Sequence, residues 1–76
     1  MKETLETIIK SLVEFPEQVT INEAVAERSV IFEVKVAQSD MGKIIGREGK
    51  IASAIRTIMK ALASKEQKKV SVEFIG

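Results

Sequence analysis

The stretch GKIIGREGKI, residues 42–51, decides the fold prediction for this chain. Three of the four glycines in the sequence lie within residues 42–49. Glycine is favoured where the backbone must adopt a conformation, or allow a close approach, that a side chain would obstruct. Because apolar residues flank the glycines on both sides, we expect residues 46–49 to form a tight connection between two helices.

The residues around this turn show helical periodicity. After the turn, one predicted helix covers about residues 50–64, and isoleucines 51, 55 and 58 are expected in the core. Before the turn, Ser39 is expected to cap a short helix that ends near Ile45, because Gly46 stops it. Asp40 would then lie favourably at the positive end of the helix dipole.

The rest of the chain supplies one more helix and three strands. An apolar stripe predicts a first helix that ends near Phe15-Pro16, followed by a strand over about residues 18–25. Apolar residues alternate from Val30 to Val36 and again from Val70 to Phe74, which predicts two further strands. The first two strands are expected to form an antiparallel hairpin, and a helical crossover makes the third parallel to the second.

The predicted fold class is therefore α+β, in two layers with the element order α-β-β-α-α-β. It contains a three-stranded mixed sheet with helices on one face. Residues 1–76 are expected to form one unit, in which a helix and strand (1–27) precede a β-α-α-β core (28–76).

Composition excludes several classes of protein chemistry. The chain has no cysteine and no histidine, which removes disulfides, thiol nucleophiles and histidine acid–base catalysis. We find no catalytic constellation, so we expect no enzyme activity and no cofactor or metal. The acidic start and the lack of an apolar run of about 20 residues predict a cytoplasmic protein.

Charge is distributed unevenly along the chain, although the net charge is only +1. Residues 1–38 hold four basic residues against seven glutamates, a balance of −3, whereas residues 39–76 hold eight against four, a balance of +4. The basic half contains the glycine turn, where Gly46 and Gly49 bracket a two-residue tip before a helix N-terminus. Unpaired amides and the helix dipole favour a phosphate at such a point.

The neighbouring side chains suit an extended polyanion. Lys43, Arg47 and Lys50 add positive charge around the tip. One of Ile44 and Ile45 is expected to face the core and the other to line a groove for unstacked bases, and the sequence does not distinguish them. The glycine spacing fits neither the P-loop nor the GxGxxG template, which excludes those nucleotide-binding motifs.

Residues 44–51, followed by Ile55, resemble the (I/V)-I-G-x-x-G-x-x-I-x-x-I signature of KH domains. The element order resembles the type II, bacterial form of that domain, and the length and turn sequence are similar to the small single-KH proteins of the bacterial KhpA family. The resemblance implies binding of single-stranded RNA, with about four nucleotides laid between the helices and the edge of the second strand.

The resemblance also assigns roles to residues. It implies a backbone clamp formed by Gly46, Arg47, Glu48 and Gly49, with groove walls at Lys43, Ile44, Ile45 and Lys50. Arg56 completes the predicted RNA-binding set; with Lys60, it could equally belong to a solvated helix face. Glu48 departs from what a phosphate site favours, so we expect weak, salt-sensitive binding.

The partners implied by the resemblance are single-stranded RNA and either a second copy of the chain or a larger KhpB-like KH protein. The implied role is that of an RNA chaperone or post-transcriptional regulator, linked in some bacteria to cell shape, with no membrane and no small-molecule substrate. The alternative is a protein-interaction subunit whose KH fold mainly docks a partner protein.

Overall fold

The computed structural model describes residues 1–75, apart from the side chain of Arg47. Predictions about that side chain, and the extension of the last unit to Gly76, lie outside the described residues. The elements are helix α1 (Lys2–Leu12), a 3₁₀ turn (Pro16–Gln18), strands β1 (Thr20–Val25) and β2 (Ser29–Lys35), helix α2 (Gln38–Lys65) and strand β3 (Lys69–Phe74).

Helix α2 contains the two helices predicted on either side of the glycine turn. Glu48 and Gly49 have φ angles of 64° and 69°, which take the backbone out of the right-handed helical region. The element therefore consists of two helical segments, residues 38–47 and 50–65, and the predicted order α-β-β-α-α-β is confirmed. The predicted stop at Gly46 is wrong, because Gly46 remains within the first segment and the left-handed residues come two positions later.

The three strands form one mixed sheet in the order β1-β2-β3. Strand β1 runs antiparallel to β2, with Ile21 opposite Val34, and β3 runs parallel to β2, with Val72 opposite Phe32. Both predicted pairings are confirmed. Strand β2 occupies the centre of the sheet, so the two edges belong to β1 and β3.

The core lies between the helices and one face of the sheet. In β2, buried Val30, Phe32 and Val34 alternate with exposed residues, as a sheet covered on one side requires. The residues that meet them come from all the other elements: Leu5 and Ile9 of α1, Ile21 of β1, Ile55 and Met59 of α2, and Val72 of β3.

The second segment of α2 packs on a different face from the predicted one. Ile51 and Ile58, expected in the core, are 37% and 44% exposed. The buried positions are Ala52, Ile55, Met59 and Ala63. Alanine at two of these positions lets the helix backbone approach the sheet closely, and this displaces the larger isoleucines to the outside.

The N-terminus of α2 also differs from the prediction. The cap residue is Ala37, and no side chain caps the helix, so Ser39 lies inside the first turn. Asp40 does occupy the first turn, as expected. No helix within residues 1–75 is both long enough and apolar enough to cross a membrane.

Candidate nucleic-acid interface

The glycine turn of α2 is open on the outside. A Cβ atom added at Gly46 or Gly49 would meet no heavy atom within 4 Å among the described residues. Gly49 needs to be glycine because its φ angle is positive, whereas Gly46 has no such requirement. The backbone conformation therefore does not require glycine at position 46, and the space beside Gly46 is open on the described side of the turn.

Glu48 is the unusual residue of this turn. It is exposed and has a φ angle of 64°, a left-handed conformation that costs most L-residues about 1–2 kcal/mol. The turn thus carries an acidic side chain and a strained backbone at the same position. Both features come from the same residue. A substitution that removes only the charge of Glu48 can therefore be compared with one that also relieves the backbone strain.

The structure distinguishes the two isoleucines that precede the turn. Ile44 is 2% exposed and belongs to the core, whereas Ile45 is 49% exposed. Of the two, Ile45 is therefore the one available to contact a base. Ile44 was a predicted contact residue, and its burial restricts it to holding the first segment of α2 against the core.

The predicted cations around the turn have different surroundings. Lys50 is exposed. Lys43 forms an ion pair with Glu14, the residue that follows Val13 at the end of α1, and both side chains are at least half exposed. The Arg47 side chain lies outside the described residues. Between the two described lysine side chains of the turn, Lys43 is the one whose positive charge is shared with a carboxylate of the same chain.

Arg56 is held against β3 rather than extended into solvent. Its Nε donates a hydrogen bond of 3.0 Å to the carbonyl oxygen of Val72, and its guanidinium carbon lies 5.4 Å from the centre of the Phe74 ring. A cation at this distance is attracted to the ring face. Arg56 therefore presents a positioned positive charge at the edge of the sheet.

Strand β3 provides the free edge beside α2. The amides of Lys69 and Ile75 bond to carbonyls of Arg28 and Val34 on the β2 side. Since alternate residues of a parallel strand direct their polar groups to opposite sides, Val70, Val72 and Phe74 direct theirs away from β2. The prediction of a groove along the edge of the second strand is wrong, because β2 is central and has no free edge.

A groove of ≈ 630 Å³ lies close to this edge, between the first segment of α2 and the ends of β2 and β3. Its apolar lining residues are Val36, Met41, Gly42 and Ile75, and Lys35 is the charged residue in its lining. A Cβ at Gly42 would also meet nothing within 4 Å, so this wall of the groove is open.

The opposite side of the first α2 segment is anchored by a buried carboxylate. Asp40 is fully buried, and its two oxygens accept hydrogen bonds from the backbone amides of Glu14 and Phe15, at 2.9 and 3.1 Å. No local sequence pattern indicates this contact, because its partners are 25 and 26 residues away along the chain. Asp40 ties the end of α1 to the segment that leads into the glycine turn.

Within the described part of the chain, no group of three histidine, cysteine, aspartate or glutamate side chains could hold a metal ion. The candidate site consists instead of an open turn, positive charge, an apolar groove and a free strand edge. A three-stranded mixed sheet covered on one face by three helical segments, with a GxxG turn between the last two, defines the type II KH class.

The comparisons with known proteins narrow this class to a family. The family model described as "KhpA/KhpB, KH domain" matches residues 2–74. Proteins named "RNA-binding protein KhpA" are similar over 99% of this chain and 100% of their own length: 57% identical in Clostridium acetobutylicum, 59% in Clostridium perfringens and 53% in Caldanaerobacter subterraneus. The chain belongs to the KhpA/KhpB family of KH domains.

Proposed function

We propose that this chain binds single-stranded RNA without catalysing a reaction. The sugar-phosphate backbone lies against residues 46–49, and about four nucleotides extend along the groove between α2 and β3. The observation that carries the proposal is the uncovered glycine turn, placed beside a free strand edge and basic residues. The name of the similar clostridial proteins, RNA-binding protein KhpA, supports the same ligand.

The proposed role of each residue in RNA binding follows from the chemistry of its side chain or backbone. Lys43, Lys50 and the backbone of the turn neutralise phosphates, and this contribution carries no base preference. Ile45 contacts base surfaces. Arg56 meets base edges, together with the outward-facing polar groups of β3 other than the Val72 carbonyl, which accepts from Arg56. The chain contains no tryptophan or tyrosine for stacking, so we expect modest affinity with a strong salt dependence.

Modest affinity at one site favours assembly. We propose that the chain acts as a homodimer, or with a KhpB-like partner, because linked sites raise the effective concentration of each for the same RNA. Ile51 and Ile58 support this proposal, since they lie seven residues apart on one exposed face of α2. Replacing both with serine should lower the dimer population in sedimentation velocity, while an unchanged distribution would place the interface elsewhere.

The biological role that fits is an RNA chaperone or post-transcriptional regulator in the cytoplasm, with residues 1–76 acting as one KH unit. Weak contacts made largely to the RNA backbone suit a chaperone, because they carry no sequence information and so do not select a single target. Crosslinking the protein to cellular RNA, followed by sequencing of the recovered RNA, tests this role.

The direct test of RNA binding reverses two charges at the turn. The double variant Arg47→Asp, Lys50→Asp should reduce affinity for a short single-stranded oligoribonucleotide by at least about tenfold at low salt, because it replaces attraction by repulsion at the clamp. The matched control is Lys2→Asp, Lys10→Asp on α1, which changes the net charge equally and should retain most of the affinity. Fluorescence polarisation across a salt titration provides the measurement.

The exposed isoleucines of α2 also favour a second candidate, a subunit whose main function is to dock a partner protein. The two functions predict different results. An RNA-binding protein loses its RNA in the charge-reversed variant and keeps its partner. A docking subunit shows no affinity of the wild type for RNA at low salt, and loses its partner when the isoleucines are replaced.

A further inference from the structure

A second basic region lies farther along the same edge of β3, at the strand's N-terminal end. Two adjoining hollows of ≈ 220 and ≈ 380 Å³ share Lys60, Val70 and Ser71 in their linings. Arg56 completes the charged lining of the first hollow, and Lys68 and Lys69 that of the second. Every charged residue among the described residues that line the two hollows is basic.

This region continues the proposed RNA path rather than forming a separate site. Arg56 contacts Val72 and Phe74 of β3, and Ile75, the residue after Phe74, lines the larger groove together with Gly42 of the segment that leads into the turn. Lys60 follows Lys50 by ten residues, about 15 Å along the helix axis. A strand that leaves the turn along β3 therefore passes Arg56 first and reaches Lys60 next.

Lys60 and Lys68 are the side chains suited to receive that strand. Lys60 is exposed on α2, and half-buried Lys68 lies in the short connection between α2 and β3. Lys69 alternates with half-buried Val70, so its side chain faces the other side of the sheet. The outward-facing main chain of Val70 adds a hydrogen-bonding group between the two lysines and Arg56.

We infer that Lys60 and Lys68 form a second phosphate-binding segment, which holds the backbone of single-stranded RNA beyond the nucleotides bound at the glycine turn. This inference rests on the proposed function and extends it to longer strands. Two additional cations neutralise two additional phosphates, so longer RNA releases more counterions on binding. Lysines on a helix are commonly only solvated, and in that case RNA length would leave the salt dependence unchanged.

The experiment compares oligouridylates of about four and about eight nucleotides, bound to the full chain over a range of salt concentrations. For the wild type, the slope of log affinity against log salt should steepen by about 1.4 with the longer RNA, because each phosphate contact to a single strand contributes about 0.7. The variant Lys60→Gln, Lys68→Gln should show equal slopes for both lengths. The control Lys2→Gln, Lys10→Gln carries the same charge change and should keep the wild-type difference.

The slope, rather than the affinity alone, decides the result, because a longer oligonucleotide also binds more tightly by offering more registers. Equal slopes in the wild type, or a preserved difference in the Lys60/Lys68 variant, would overturn the second segment while leaving the proposed function intact. Failure of the wild type to bind either RNA at low salt would instead reject the proposed function. Circular dichroism of each variant shows whether the fold is retained.

Discussion

The two sides of the short first segment of α2, residues 38–47, differ sharply. At Asp40 the segment is fully buried and bonded to two backbone amides of a distant part of the chain. Around Gly46, and at Gly49 just beyond the segment, the backbone has open space on its outer side. The anchored side holds the segment in place, and the open side can then offer a fixed backbone surface to a ligand without reordering. Such preorganisation lowers the entropic cost of binding.

The largest expected effect comes from breaking the anchored side. Asp40→Ala leaves the amides of Glu14 and Phe15 without their acceptors in a partly buried region, which should lower the free energy of unfolding by about 3 kcal/mol. Asp40→Asn keeps one acceptor oxygen and should lose less. Urea denaturation measures both changes. A loss below about 0.5 kcal/mol for the alanine variant would show that water replaces the carboxylate and that the anchor is unimportant.

On the open side, the same glycine-to-alanine substitution at two positions should change stability in different ways. Gly49→Ala should destabilise the fold by about 1 kcal/mol, because alanine disfavours a φ angle of 69°. Gly46→Ala should leave stability unchanged or raise it by about 0.5 kcal/mol, since alanine is the better helix former and has room there.

Both glycine variants should nevertheless bind RNA more weakly, because each adds a methyl group where the backbone of the ligand approaches. Thermal unfolding and fluorescence polarisation on the same samples separate the two effects. If Gly46→Ala bound RNA as well as the wild type, the strand would not lie against this turn.

Features set by local sequence patterns could be predicted, whereas contacts between residues far apart in the chain could not. The order of elements and the strand pairings follow from local periodicity and turn chemistry, and these were predicted correctly. A break between two helical segments was also expected, but its left-handed residues come two positions after the predicted stop at Gly46. The anchor at Asp40 joins residues far apart in the chain, and no local pattern signals it. The contact of Arg56 with β3 was missed for the same reason.

The prediction that Ile51 and Ile58 lie in the core is wrong for another reason. Positions 51, 55 and 58 and positions 52, 55 and 59 both fit one face of a helix, and hydrophobicity favours the set with three isoleucines. Close packing on the sheet instead selects the face that carries Ala52 and Ala63. Ile51 and Ile58 are left exposed as a result, and local periodicity does not show this because it depends on tertiary packing.

Glu48 allows strain and charge on the open side to be separated. Glu48→Asn should raise stability by about 0.5 kcal/mol, because asparagine tolerates the left-handed conformation better than glutamate does. Glu48→Gln should leave stability unchanged. Both remove a negative charge from the turn, so both should tighten RNA binding about twofold or more at low salt. Weaker RNA binding by both variants would show that the Glu48 carboxylate itself contacts the RNA, for instance by accepting a hydrogen bond from a base.

The smallest expected effect concerns the ion pair between Glu14, just after the end of α1, and Lys43, close to the glycine turn. Glu14 pairs with Lys43, so Glu14→Gln should free the lysine for phosphate and tighten RNA binding by less than about fivefold. Glu6→Gln is the matched control, because it breaks the Glu6/Lys10 pair on α1 with the same charge change. Equal effects of the two variants would mean that only net charge matters, and that the Lys43 pair does not compete with RNA.

The most direct test of the central claim is an amide chemical-shift titration of the ¹⁵N-labelled chain with a short single-stranded oligoribonucleotide. The account predicts that the largest shifts fall on residues 43–50 and on the free edge of β3, at Val70, Val72 and Phe74. Shifts concentrated on the open face of the sheet, around Ile31 and Glu73, with the glycine turn unaffected, would contradict it.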